Sequence, residues 1–118
     1  MAVKTVVCET LEKWTNAVAD EIRKAVEEKP DLTMILATGS TPEPVYDELV
    51  KRCKEGKVSF RDLHSYNLDE YVGLPASDVN SYRYYMENRL FRHIDADPKN
   101  LHLPNGMAAD MEQESRDY

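Results

Sequence analysis

The apolar residues of this chain fall into two kinds of pattern. At Leu11, Trp14, Val18, Ile22 and Val26 they recur three and four positions apart. That spacing predicts one buried stripe on a helix, capped by Thr10 and ending near Glu27 to Pro30. At Leu32 to Ala37 they form a continuous run broken only by Thr33, short enough for a buried strand. Val3 to Cys8 is β-branched and predicts a first strand, Leu63 to Leu68 a third, and Leu101 to Leu103 a short last one. Val45, Tyr46, Leu49, Val50 and Cys53 predict a helix with Thr41 as N-cap, Pro42 in its first position and Gly56 as its stop. Tyr82, Tyr85, Met86, Leu90 and Phe91 predict another, capped by Asn80 or Ser81. Met107 to Tyr118 reads as a helix just begun, with no glycine cap, basic last turn or following proline. Strands alternating with helices predict an α/β fold, an open and mostly parallel sheet with helices on both faces in a Rossmann-like three-layer arrangement. The missing stop signals predict that it is incomplete.

Composition narrows this reading. The chain has 118 residues, enough for a single domain spanning residues 1–118. Apolar residues are 42% and charged residues 31%, the balance of a folded soluble protein. The 22 acidic residues against 15 basic ones give a net charge of −7, which argues against a nucleic-acid partner. A local pocket can still oppose that charge and take a small anion. No apolar run reaches the roughly 18 residues of a membrane span, and Met1 to Glu9 has no secretory pattern. Two cysteines are too few for a disulfide framework, so cytoplasmic residence is the expectation. His64, His93 and His102 have no metal-ligand spacing. Trp14 and Cys53 are expected in the core, Lys51, Arg52, Lys54 and Lys57 on a solvated helix end, and Tyr82, Tyr84 and Tyr85 in packing and surface roles.

Two segments carry chemistry. Thr38-Gly39-Ser40-Thr41-Pro42 joins a strand to a helix. Gly39 permits close backbone approach, Ser40 and Thr41 supply hydroxyls, and the helix directs its positive end at the same spot. These are the parts of a phosphate cradle, though without the lysine of a nucleotide P-loop. An ordinary capped turn has the same composition, and the motif alone does not choose between them. The second segment, Tyr66 to Pro75, places Asp69 and Glu70 at the C-terminal end of a strand, the edge where open α/β sheets bind ligands. Adjacent residues face different ways, so one of the two acids is expected to point into a pocket and serve as a general base. A solvated or capping pair is the alternative. Both loops follow consecutive strands and open at one edge, which points to a phosphorylated metabolite.

These residues resemble a known family. Ala37-Thr38-Gly39-Ser40-Thr41-Pro42, Asn67-Leu68-Asp69-Glu70-Tyr71-Val72-Gly73-Leu74, Ser81-Tyr82 and Leu103-Pro104-Asn105-Gly106 with Asp110 are similar, in order and spacing, to glucosamine-6-phosphate deaminase. The resemblance runs from Val3 onward. It implies a hydrolase/isomerase-type reaction of amino-sugar catabolism in which glucosamine 6-phosphate and water give fructose 6-phosphate and ammonia. The ring opens, a proton moves from C2 to C1, and the amine leaves. By this resemblance Asp69 is the proton-transferring base, Thr38, Gly39, Ser40 and Thr41 hold the phosphate, and Glu70 and Tyr71 form the pocket wall. No metal and no organic cofactor is implied. The implied partner is a small amino-sugar phosphate, with neither nucleic acid nor membrane, and a homo-oligomer is compatible with the reading.

Members of that family are substantially longer. Their ring-opening histidine, its acidic partners and the basic residues completing the phosphate site lie in the half that follows the position of Tyr118. The expectation is a domain truncated before the C-terminal half of the family fold, with little turnover by itself and an uncovered sheet edge prone to aggregation. Two other readings stay open. One is a related sugar-phosphate lactonase or isomerase, against which the Asn67 to Leu74 run speaks. The other is a non-catalytic sugar-phosphate-binding module, which has no need of Asp69.

Overall fold

The structure, a computed structural model, describes residues 2–118. The first helix, α1, runs from Leu11 to Glu28, and Thr10 caps it as expected by accepting from the Lys13 N–H. Thr15, Ala19 and Val26 are its buried positions, with Trp14, Val18 and Ile22 packed beside them. Leu11, assigned to that stripe by its spacing, is exposed instead. Three parallel strands follow: β1 (Thr33–Leu36), β2 (His64–Asn67) and β3 (Leu101–His102), in the order β1-β2-β3. Helix α2 (Glu43–Lys54) joins β1 to β2. Helix α3 (Tyr82–Arg89) lies between β2 and β3 and is followed by 3-10 turns at Phe91–His93 and Pro98–Asn100. Helix α4 (Met111–Asp117) closes the described chain, capped by Asp110.

Register explains which face of the sheet is covered. Thr33 pairs with His64, Ile35 with Tyr66, and Tyr66 with His102, so these side chains share one face. Leu36, Ser65, Asn67 and Leu101 occupy the other and are all buried. Two successive right-handed crossovers in the same direction place α2 and α3 on that buried face. The core gathers there, with Val45, Tyr46 and Leu49 from α2, Met86 from α3, and Phe60, Leu63, Leu90 and Phe91 around them. On the opposite face Ile35 is 70% exposed. There Tyr66 stacks on His102 at 4.5 Å, and Tyr118 meets Tyr66 edge-on at 5.7 Å.

Three expectations need correction. Val3 to Cys8 forms no strand; Val3, Val6 and Val7 are exposed. A β-branched run becomes a strand only where a ladder is offered, and this one instead lies along α1, where Lys4 meets Glu21 at 3.7 Å. Arg52 is not part of a solvated helix end. Its side chain is 12% exposed and bridges Asp20 of α1, at 2.7 Å, to Glu48 of α2, at 3.1 Å. Cys53, expected buried, is half-buried, and its thiol donates to Asp95.

Candidate functional site

The two segments singled out by sequence leave the C-terminal ends of adjacent strands β1 and β2. Gly39 has φ of +100°, a backbone state that side chains disfavour, and no neighbour crowds the place where a Cβ would stand. The loop around it is held by its carbonyls. The Tyr46 hydroxyl of α2 donates to the Ala37 carbonyl, and the Tyr85 hydroxyl of α3 donates to the Gly39 carbonyl at 2.6 Å. Burial pushes the Tyr46 phenol far above its ordinary range, so it remains a donor. Thr41 does not cap α2. The cap position is Pro42, in helical geometry and with no side-chain bond, because the turn tightens one residue earlier through Glu43 N–H to the Ser40 carbonyl at 3.3 Å. The start of α2 is therefore left without a side-chain cap. Gly39, Ser40 and Thr41 are exposed beside it, and Thr38 is half-buried. Glu43, the one acid in the first turn, is paired with Arg89 of α3 at 3.1 Å.

The second loop is held differently. The Glu70 carboxylate accepts from three backbone N–H groups: Tyr71 at 2.9 Å, Tyr82 at 2.8 Å and Arg83 at 2.9 Å. Ser81 adds the cap expected of it, accepting from Tyr84 N–H at 3.0 Å. Gly73 N–H donates to the Gly106 carbonyl at 2.8 Å. Asp69 is exposed and its carboxylate takes no hydrogen bond from the described residues. The two acids thus do face different tasks. Leu68, Asp69, Glu70 and Val72 line a cleft of about 280 Å³ with Asn105, Gly106, Glu114 and Tyr118. Glu70 belongs to that cleft, yet its carboxylate is engaged by the backbone of α3.

Tyr71 and Tyr82 close the space between the loops. Their rings lie 4.7 Å apart and Tyr82 donates to the Tyr71 hydroxyl at 3.3 Å. That bond holds the Tyr82 phenol above its ordinary range; burial and the charges of Tyr71 and Asp69 act in the same direction, and Thr38 opposes them. Tyr82 thus pairs with Tyr71, two residues beyond Asp69.

The family model for glucosamine-6-phosphate isomerases/6-phosphogluconolactonase matches residues 8–118. The chain belongs to that family. A glucosamine-6-phosphate deaminase of Shouchella clausii is 49% identical over 107 residues, covering 91% of this chain and 43% of that protein. Glucosamine-6-phosphate deaminase 1 of Bacillus subtilis is 41% identical over 116 residues, covering 98% and 48%. A solved monomeric glucosamine-6-phosphate deaminase superposes with a TM-score of 0.93 at 41% identity, again over 98% of this chain and 48% of that one. The chain spans less than half the length of these relatives. A Thermotoga maritima 6-phosphogluconolactonase, 24% identical with a TM-score of 0.71, shares the fold.

For this glucosamine-6-phosphate isomerase/lactonase family member, sequence reasoning missed two residues. Tyr82 and Tyr85 were placed in packing and surface roles; the structure puts one on the Tyr71 hydroxyl of the second loop and the other on the Gly39 carbonyl of the first. Their spacing of three on a helix whose cap was legible already put both on one side. No group of three or more His, Cys, Asp and Glu is arranged to hold a metal among the described residues. No helix among them is long and apolar enough to cross a membrane.

Proposed function

We propose that this chain supplies the base and part of the phosphate site of a deaminating aldose–ketose isomerase acting on glucosamine 6-phosphate. The observation that carries this is the placement of an exposed, unbonded carboxylate and a side-chain-uncapped helix start on the loops that leave two adjacent parallel strands at the same edge. The relatives named as glucosamine-6-phosphate deaminases support the choice of substrate.

In this reading the phosphate rests on the Thr38 to Thr41 loop, where backbone N–H groups and the positive end of α2 face it. Pinning the Ala37 and Gly39 carbonyls to tyrosines turns the acceptors away from the anion. The reacting carbons of the open-chain sugar then lie toward the second loop. Asp69 takes the C2 proton as the amino-aldose becomes an enolamine, and returns it to C1. The resulting C2 imine adds water and releases ammonia, leaving the ketose. A carboxylate without fixed donors suits both halves of that transfer, since its lone pairs are free to take the proton and to return it.

The remaining half of the family fold is expected to complete the site. The test is to join this chain to the second half of the Bacillus subtilis deaminase and measure ammonia released from glucosamine 6-phosphate. Ammonia and fructose 6-phosphate in equal amounts support the reading. Binding without turnover in that complete protein would make it a sensing module.

A further inference from the structure

We infer that Glu70 is a positioning residue, whose carboxylate ties the loop that presents Asp69 to the first turn of α3. The inference rests on the reading of Asp69 as the base. Tyr82 and Arg83 open α3, so their N–H groups have no partner inside the helix. Glu70 reaches both from twelve and thirteen positions upstream and also takes the Tyr71 N–H. These are charge-assisted bonds at the positive end of a helix, roughly twice as strong as neutral ones. Two further anchors flank them. The Asn67 carbonyl accepts from the Tyr118 hydroxyl at 2.7 Å. Beyond Glu70, a Cβ added to Gly106 would stand 2.1 Å from the Tyr71 carbonyl oxygen, so that turn and the loop touch backbone to backbone.

Asp69 sits inside this frame. Its neighbours on both sides are fixed, while its own oxygens receive nothing from the described residues. A group that accepts and then returns a proton needs a set position and open lone pairs together. The adjacent acids divide that requirement: Glu70 spends its oxygens on holding the backbone, and Asp69 keeps its own free. Ser81 satisfies the next N–H of the helix and makes no bond to residues 69–73 among those described. It is therefore the control for helix stability alone.

Amide hydrogen exchange and backbone relaxation on the 118-residue chain, without ligand, test the anchor independently of any reaction. Glu70→Ala is expected to speed exchange at Tyr82 and Arg83 about tenfold or more and to loosen residues 69–73, with β1 protection unchanged. Ser81→Ala is expected to loosen Tyr84 and leave residues 69–73 ordered. Glu70→Gln keeps one acceptor oxygen and is expected to release at least one N–H and to loosen residues 69–73 measurably, though less than Glu70→Ala does. Residues 69–73 unchanged in Glu70→Ala, or loosened equally by Ser81→Ala, would overturn the inference. If Glu70→Ala does not fold, the comparison of Glu70→Gln with Ser81→Ala decides: a loop disturbed in the first and not the second supports it, and no difference overturns it. Failure of the ammonia assay would remove the reaction and leave this result standing.

Discussion

Helices α2 and α3 both follow strands of one sheet, yet their beginnings are treated in opposite ways. The start of α3 is closed from within the protein: Glu70 takes the N–H groups of Tyr82 and Arg83, and Ser81 takes that of Tyr84. The start of α2 has no side-chain cap, and its two prolines contribute no N–H. In the loop before α2 the protein binds carbonyls, through Tyr46 and Tyr85, and spends no side chain on the helix start. In the loop before α3 it consumes the donors and leaves one carboxylate outward. The first arrangement suits holding an anion by the main chain. The second suits chemistry by a side chain.

This contrast can be broken in order of effect. Asp69→Asn in the completed enzyme is expected to cut turnover by about 10²–10⁴-fold with little change in substrate affinity. The same variant of this chain should melt as the parent does, because Asp69 is exposed and unbonded. A steady-state assay beside a thermal melt checks both; unchanged turnover would end the role given to Asp69. Gly106→Ala pushes a methyl group against the Tyr71 carbonyl and should cost about 3 kcal/mol in urea unfolding. Parent-like stability there would mean that the second loop is looser than its bonds indicate.

Tyr85→Phe removes one donor from the Gly39 carbonyl. It should weaken glucosamine 6-phosphate binding about fivefold, the worth of one hydrogen bond, and leave the environment of Asp69 unaltered. Titration calorimetry with the completed enzyme measures this, and a fall in turnover at unchanged affinity would contradict the division between the loops. Ser65→Ala is the smallest change. The Ser65 hydroxyl is fully buried without a partner among the described residues, so its loss should alter stability by no more than about 1 kcal/mol, in the stabilising direction. It touches neither loop and sets the baseline for the other three.

What sequence could reveal followed the range of the interaction. Periodicity located α1, α2 and α3, and the caps Thr10 and Ser81 were legible because a cap acts over three residues. The two loops were legible for the same reason, since Thr38 to Pro42 and Asp69 to Pro75 carry their chemistry in consecutive residues. Val3 to Cys8 misled because strand propensity does not supply a partner strand. Arg52 misled because its partner Asp20 lies 32 residues away on another helix. Tyr85 was opaque on the same ground, since it holds a carbonyl 46 residues away; for Glu70 a capping role stood open as the alternative, but not which helix, whose first N–H lies twelve positions off. The likeness to glucosamine-6-phosphate deaminases read from the motifs agrees with the family matched over residues 8–118.

The placement of the aromatic side chains has an optical consequence. Trp14 is the single tryptophan and lies on α1, packed against the core, whereas Tyr46, Tyr66, Tyr71, Tyr82, Tyr85 and Tyr118 all bond or stack about the strands and the loops that leave them. Emission excited selectively from Trp14 follows the docking of α1, and tyrosine absorbance follows the strands and their loops. One sample in one cuvette thus carries two reporters, and a gap between their midpoints on heating would reveal α1 and the strand-and-loop region coming apart at different temperatures.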